Sequence, residues 1–228
     1  MDAWTLQEIL AALQRDAHPE ELEGMARYGM SLEKRLGVKI PQLRKLAKQI
    51  GKDHDLALAL WQTGIAEAKI LAAMIDRPGD VTSDQMEKWV RGFDSWDVCD
   101  QVCMNLFDRT PHVLEKIRAW AVREEEYVKR AAFALIAVLA WHDKVMEDRV
   151  FLDLIPVIMT GASDERNYVK KGVSWALRHI GKRNSALHAA AIQAATELSN
   201  SENRSQRWVG KDVLKDITRA SVVERLKP

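Results

Sequence analysis

The sequence of 228 residues predicts an all-α fold, a HEAT-like helical repeat superhelix (α-solenoid) built from stacked helix pairs. Three observations predict this class: helical spacing of the apolar residues, few glycines and prolines, and one short motif that recurs about every 40 residues. We expect a single repeat domain over residues 1–228, because each layer of a solenoid packs only on its neighbours and no linker divides the chain.

Apolar residues recur three or four positions apart in several segments, and no stretch alternates as a β-strand would. The clearest segments contain Leu56, Leu60 and Ile65, then Val128, Ala132, Leu135 and Leu139, and then Val169, Val173, Ala176, Leu177 and Ile180. Residues that favour helix N-termini precede such segments. The predicted starts are Asp53, Thr82 or Ser83, Asp94 or Ser95, and Ser163 or Asp164.

A motif of an aromatic residue, valine, a variable residue and a basic residue occurs three times. The copies Tyr127–Arg130, Tyr168–Lys171 and Trp208–Lys211 begin 41 and 40 residues apart, and each is expected to open an apolar helix. This period is typical of HEAT or armadillo helix pairs. Regular stacking would place Arg130, Lys171 and Lys211 at equivalent positions, where they line one concave binding surface.

The basic residues are concentrated in the second half of the chain. The net charge is only +1, but residues 1–126 hold 17 Lys and Arg against 22 Asp and Glu, whereas residues 127–228 hold 17 against 11. Residues 166–183 contain six basic residues and no acidic one. They are Arg166, Lys170, Lys171, Arg178, Lys182 and Arg183. Such a basic stripe indicates a phosphate-binding surface more directly than the total charge does.

Several other classes of protein are disfavoured. The longest apolar run, Ala131–Trp141, is too short to span a membrane, and the first ten residues do not resemble a secretory signal. Cys99 and Cys103 lie on one helical face, where two ligands do not make a metal site, so we interpret them as a buried, reduced pair. We therefore expect a cytoplasmic monomer without a membrane segment or a bound metal.

Four segments, in order, resemble the DNA alkylation repair family of AlkD-like, HEAT-like repeat DNA glycosylases. Gly37–Arg44 resembles the Gly-x-x-x-Pro-x-x-Arg signature, and Ser95–Asp100 resembles the central Trp-Asp-x-x-Asp motif. Tyr127–Ala132 and Tyr168–Arg178 resemble the two later repeats. The similarity runs from about residue 30 to residue 183.

The resemblance implies a DNA glycosylase that removes cationic N3- and N7-alkylated purines from duplex DNA without a metal or another cofactor. Trp96 and Trp175 would flank the lesion and its sugar, Asp100 would be the catalytic carboxylate, and Arg130 would bind a phosphate beside the site. Arg178, one turn beyond Trp175, is a further candidate for a backbone contact. The remaining predicted DNA-binding residues are Lys129, Lys170, Lys171, Lys182 and Lys211.

These residue types suit the chemistry. A purine that carries a positive charge leaves without a general acid, and a carboxylate stabilises the sugar cation and positions the attacking water. Indole faces attract cations. Trp96 and Asp100 stand four residues apart and so share one helix face, whereas Asp97, in the first turn, suits a structural role at the helix start.

Two other functions remain open at this point. The chain is a glycosylase, or a non-catalytic protein that binds distorted or branched DNA, or a protein-interaction scaffold. In the scaffold, the acidic first half would be the partner surface. The Trp96 and Asp100 pair favours the first two over the third.

Overall fold

The computed structural model describes residues 4–226, and within that range the secondary structure is entirely helical. The first seven α-helices are α1 Leu6–Arg15, α2 Leu22–Arg27, α3 Ile40–Ile50, α4 His54–Gln62, α5 Ala66–Ile75, α6 Ser83–Arg91 and α7 Trp96–Asn105. The later ones are α8 Val113–Trp120, α9 Glu126–His142, α10 Asp148–Gly161, α11 Asn167–Ile180, α12 Ser185–Ser199, α13 Arg204–Ile217 and α14 Ala220–Val223. Short 3-10 turns occupy Pro19–Glu21 and Phe107–Arg109. The all-α class is confirmed.

The chain divides into two compact units, with the boundary between His112 and Val113. Unit 1 contains α1 to α7, and unit 2 contains α8 to α14. Unit 2 is the basic one, with 20 Lys and Arg against 15 Asp and Glu, while unit 1 has 14 against 18. The expectation of one domain over the whole chain stays a prediction.

In unit 1, alternate helices pack on one another: α3 contacts α5, and α5 contacts α7. The aromatic rings of α4 and α6 also meet, because Trp61 and Trp89 stack with centroids 4.1 Å apart. Phe93 and Phe107 extend this cluster. The cluster fixes the end of α7, since Phe107 lies in the 3-10 turn just beyond it.

Unit 2 repeats the same arrangement more regularly. Helix α11 packs between α9 and α13, while α8, α10 and α12 pack as partners of α9, α11 and α13. The copies of the motif occupy equivalent positions. The rings of Tyr127 and Tyr168 stack 5.9 Å apart, and the valine of each of the three copies is buried. One detail of the prediction is wrong: Trp208 is the fifth residue of α13 and does not open it, since Asn203 caps that helix.

The predicted helix starts are right where the capping side chain hydrogen-bonds to the first turn. Asp53 accepts from the amide of Leu56, and Thr82 accepts from the amide of Gln85. Ser95 precedes α7 without making such a bond. The start predicted at Ser163 or Asp164 is wrong: α11 begins at Asn167, because the Asp164 carboxylate is engaged by Arg166.

Both cysteines lie on α7, in the core. Cys99 and Cys103 are not joined by a disulfide and are fully buried. Burial raises the pKa of the Cys103 thiol, as does its hydrogen bond with Cys99. They are the buried, reduced pair that the sequence indicated. Among the residues described, none of the helices combines the length and the apolar character that a membrane crossing requires.

Candidate nucleic-acid site

In unit 1, α7 presents Trp96 and Asp100 one turn apart, and both side chains are half-buried. The Trp96 indole Nε1 donates a hydrogen bond of 3.0 Å to the carbonyl oxygen of Tyr28. This bond orients the ring without removing it from solvent. The loop that follows α2 therefore determines where the indole of Trp96 lies.

That loop is fastened to the start of α7 by a buried ion pair. The Arg35 guanidinium donates two hydrogen bonds to the Asp97 carboxylate, at 2.7 and 3.0 Å, and Arg35 is only 8% exposed. Arg35 Nε also donates to the carbonyl of Ser31, and the amide of Ser31 donates to the hydroxyl of Ser95. Asp97 thus has the structural role that its first-turn position indicated.

A second buried carboxylate holds the other end of the same loop. Glu67, on α5, accepts from the amides of Leu36 and Gly37 at 3.0 and 2.7 Å. Gly37 has a φ of +83°, and a Cβ there would lie 2.3 Å from the carbonyl oxygen of His18. Only glycine fits this position. The Gly-x-x-x-Pro signature therefore describes a clamped loop that leads into α3, where Pro41 lies in the first turn.

In unit 2, Trp175 lies on α11, half-buried, with its ring edge-on to His179 at 5.9 Å. Burial, together with the charges of Lys182 and Arg178, lowers the pKa of His179 to about 4. The imidazole next to Trp175 is therefore neutral at pH 7.

Arg130 is buried, unlike its repeat equivalents Lys171 and Lys211, so the expectation that all three line one surface is wrong. It is 6% exposed, and its Nη1 donates a 2.6 Å hydrogen bond to the carbonyl of Tyr168, whereas Lys171 and Lys211 are exposed. The side chain lies close to Gly172, since a Cβ added there would be 3.6 Å from the Arg130 Cγ, an ordinary contact. Arg130 therefore fastens α9 to the start of α11. Its predicted phosphate contact stays a prediction.

Part of the predicted basic stripe is neutralised by carboxylates from outside residues 166–183. Asp164 receives hydrogen bonds from Arg166 and an ion pair from Lys129 at 3.1 Å. Burial alone would raise the pKa of Asp164, but these cations outweigh it and lower the pKa to about 2. Lys129 and Arg166 therefore have an anionic partner within the protein.

The far end of the stripe is paired in the same way. Lys182 and Arg178 both form ion pairs with Asp216 of α13, and Arg178 also lies 3.9 Å from Asp212. Burial opposes ionisation of Asp216, yet the hydrogen bond from Lys182 and the neighbouring positive charges lower its pKa. The Arg183 side chain is 7% exposed and donates to the carbonyl of Met146.

The remaining lysines differ. Lys170 lies over the ring of Trp208, with its ammonium 5.2 Å from the centroid. Lys171 and Lys211 are exposed, and within residues 4–226 neither has a carboxylate within 4.0 Å. These two are the cations of the predicted set that remain available to an external phosphate.

The predicted residues thus form two groups. Trp96 and Asp100 lie together on α7 of unit 1. The others lie in unit 2 on the adjacent helices α9, α11 and α13, except Lys182, which lies in the turn after α11. The sequence did not indicate Arg35, whose importance arises from a contact over 62 residues. Asp212 and Asp216 gave a signal that was missed: they stand four and eight residues after Trp208, on successive turns of one helix face.

The sequence model of the family described as DNA alkylation repair enzyme matches residues 9–217, which is nearly the whole chain. This protein belongs to the DNA alkylation repair enzyme family. Among solved structures, a similar one comes from "a new family of proteins related to the HEAT-like repeat DNA glycosylases with affinity for branched DNA structures". It has a TM-score of 0.77 and 16% identity, and the match covers 93% of this chain and 95% of that one. The HEAT-like repeat fold is thereby confirmed.

A designed armadillo repeat protein in complex with a (KR)4 peptide also matches. Its TM-score is 0.38 and its identity 13%, over 95% of this chain and 85% of that one. A comparison with curated protein sequences found no match.

Proposed function

We propose that this family member is a DNA N-glycosylase that hydrolyses the glycosidic bond of cationic N3- or N7-alkylated purines in duplex DNA. The observation that carries the proposal is the pair on α7: a half-exposed indole and, one turn later on the same face, a carboxylate. The buried Arg35–Asp97 ion pair supports it, because this contact fastens the start of α7, where Trp96 lies, to the loop after α2.

In the proposed reaction, the alkylated base departs with the bonding electrons and becomes neutral as it leaves. The sugar then carries the positive charge as an oxocarbenium ion. Asp100 stabilises this cation and orients a water molecule towards C1′, and loss of a proton from that water completes the hydrolysis. The face of Trp96 contacts the cationic base or its sugar. The contact expected from Trp175, which lies in unit 2, stays a prediction.

The phosphate contacts come from unit 2. Lys171 and Lys211 support this assignment best, because each is exposed and lies on one of two adjacent helices. Lys129, Lys170, Arg178 and Lys182 are proposed to contribute less, since Asp164, Trp208 and Asp216 already hold them. Arg130 supports the site mainly through its bond to α11.

The test is release of free base from a duplex that carries a single 7-methylguanine, with protein in excess. Wild type is expected to release the base, and Asp100→Asn is expected to lower the single-turnover rate about a hundredfold, the usual effect of losing one electrostatic stabiliser. Asp94→Asn is the matched control, because Asp94 is exposed and precedes α7. No release by wild type, or equal rates for Asp100→Asn and wild type, would refute the proposal.

A second candidate is non-catalytic binding of branched DNA. It is supported by the similar structure whose family has affinity for branched DNA, and by the exposed Lys171 and Lys211. This function predicts tighter binding of a four-way junction than of a duplex with the same strands, and no release of alkylated base. A scaffold would bind neither DNA at physiological salt.

A further inference from the structure

Unit 2 contains a cavity of about 810 Å³ beside the C-terminal ends of α9 and α11. Its volume lies in the range of sites for small organic ligands. It shares only Lys182 with the predicted DNA-binding residues. The other lining residues are Ala140, Trp141, Lys144, Met146, Glu147, Asp148, His179, Arg183, Asn184 and Arg225.

One wall of the cavity is aromatic. Trp141, in the last turn of α9, is 48% exposed, which is unusual for so large an apolar side chain. Its ring centroid lies 6.2 Å from His179 and 4.6 Å from His142. His179 has a pKa lowered to about 4 by burial and nearby cations, so its ring is neutral at pH 7. The wall therefore offers indole and imidazole surfaces for stacking.

Cations also line the cavity. Lys144 and Arg225 are exposed, and within residues 4–226 neither has a carboxylate within 4.0 Å. The two carboxylates that line the cavity are Asp148 and Glu147. Asp148 is satisfied by Asn184 and Arg183. Among the described lining residues, the cations Lys144 and Arg225 and the carboxylate of Glu147 are thus left without an ion pair.

The loop that carries Lys144 is fixed in place. The Asp143 carboxylate accepts from the amides of Val145 and Met146 at 3.0 and 2.8 Å. Arg183 donates to the carbonyl oxygens of Ala140, Asp143 and Met146, and its guanidinium stacks on Phe151. A loop held at both ends presents Lys144 without a large entropic cost on binding.

We propose that this cavity binds a nucleotide of single-stranded DNA, with the base stacked on Trp141 and its flanking phosphates held by Lys144 and Arg225. An exposed indole beside exposed cations is the combination by which single-stranded nucleic acid is bound without reading its sequence. A purely acidic ligand would not account for the exposed ring. The site goes beyond the proposed base excision, since it needs neither a lesion nor Asp100.

The test measures fluorescence anisotropy of labelled single-stranded (dT)8 at low salt, with the full chain. Trp141→Ala is expected to weaken binding about tenfold, because stacking of one base on an aromatic ring contributes that much. Trp141→Phe keeps a ring and is expected to retain most of the affinity. Lys144→Glu is expected to weaken binding about as much as Trp141→Ala.

Matched controls are Leu152→Ala, an exposed apolar residue of α10, and Lys215→Glu, an exposed cation of α13. Both should bind (dT)8 as wild type does. The proposal is overturned if wild type does not bind (dT)8, or if Trp141→Ala binds as wild type does. It is also overturned if an abasic strand of equal length binds as tightly as (dT)8, since the site then recognises phosphate only.

The outcome is separable from that of the proposed glycosylase. Trp141→Ala is expected to release 7-methylguanine at the wild-type rate, because no lesion contact is assigned to Trp141. A protein that fails to release the base but binds (dT)8 through Trp141 refutes the first proposal alone. A protein that releases the base but does not bind (dT)8 refutes the second alone.

Discussion

Arg35 connects two separate segments of the chain near the candidate site. Its guanidinium is almost fully buried and bonds to Asp97, Ser31 and Ser95, so it joins the loop after α2 to the start of α7. Removing one partner of a buried ion pair leaves the other charge desolvated and uncompensated. The position of Trp96 depends on this loop through its bond to Tyr28.

We therefore expect Arg35→Met to lower the free energy of unfolding by about 3 kcal/mol. The double variant Arg35→Met/Asp97→Leu is expected to recover at least half of that loss, because neither charge then remains buried alone. Urea denaturation of the wild type, the single variant and the double variant measures both effects. Equal stability of the two variants would show that the loss does not come from the unpaired carboxylate.

Asp164 provides a test by pH. Its pKa is about 2 in the folded protein and 3.8 without these contacts, so the folded state binds the proton less readily than the unfolded state. The resulting stabilisation is present above pH 3.8 and is lost as the pH falls from 3.8 towards 2.

Accordingly, Asp164→Asn is expected to lower stability by about 1 kcal/mol at pH 7, a value reduced for solvent screening of its partners. The difference from wild type should narrow as the pH falls below 3.8. Urea denaturation from pH 7 to pH 3 measures it. The exposed Asp153, on α10, supplies the control variant Asp153→Asn, which removes a surface carboxylate elsewhere in unit 2. A constant difference for Asp164→Asn across this range would contradict the assignment.

At the scale of helices, close crossings depend on particular glycines. Helix α13 crosses α12 at Gly210, where an added Cβ would lie 2.3 Å from the amide nitrogen of Ser199 and 2.5 Å from the carbonyl oxygen of Ala195. Both neighbours are backbone atoms and cannot move aside cheaply. At Gly172 of α11 the nearest atom to such a Cβ is 3.5 Å away, which is an ordinary contact.

Gly210→Ala is therefore expected to destabilise the fold by about 2–3 kcal/mol through overpacking. Gly172→Ala should be neutral, or stabilising by up to about 1 kcal/mol, because alanine favours the helix more than glycine does. Thermal unfolding of both variants decides the matter. Similar losses at the two positions would mean that helix crossing distance is not the cause.

Elements were predictable from the sequence where a local rule decides them. Asp53 and Thr82 cap helices as predicted, because the capping bond needs only residues within three positions. The start of α11 was not predictable in this way. Asp164 is a good capping residue, but Lys129 and Arg166 bind its carboxylate, and Lys129 comes from α9, 35 residues earlier. Tertiary contacts override local preference there.

Across the whole molecule, contacts between residues far apart in sequence also decide which charges are neutralised. The stripe from Arg166 to Arg183 contains no acidic residue in sequence, yet Asp148, Asp164 and Asp216 lie against it in space. Composition therefore predicted the basic unit but not which of its cations are available. The Trp96 and Asp100 pair was predictable, because helical spacing alone puts both side chains on one face.

This distinction between paired and available cations decides how salt affects DNA binding. Each lysine that contacts a phosphate releases a counterion, so replacing it reduces the slope of log K against log[salt] by about 0.9 for duplex DNA. Lys171→Ala and Lys211→Ala are each expected to produce that reduction. Lys182→Ala is expected to change the slope by less than half as much, because Asp216 already neutralises Lys182. Anisotropy titrations of a duplex between 50 and 200 mM salt, roughly the range in which such slopes are measured, give the comparison. If all three variants reduced the slope equally, DNA would be displacing Asp216, and the internal ion pairs would not determine which cations bind phosphate.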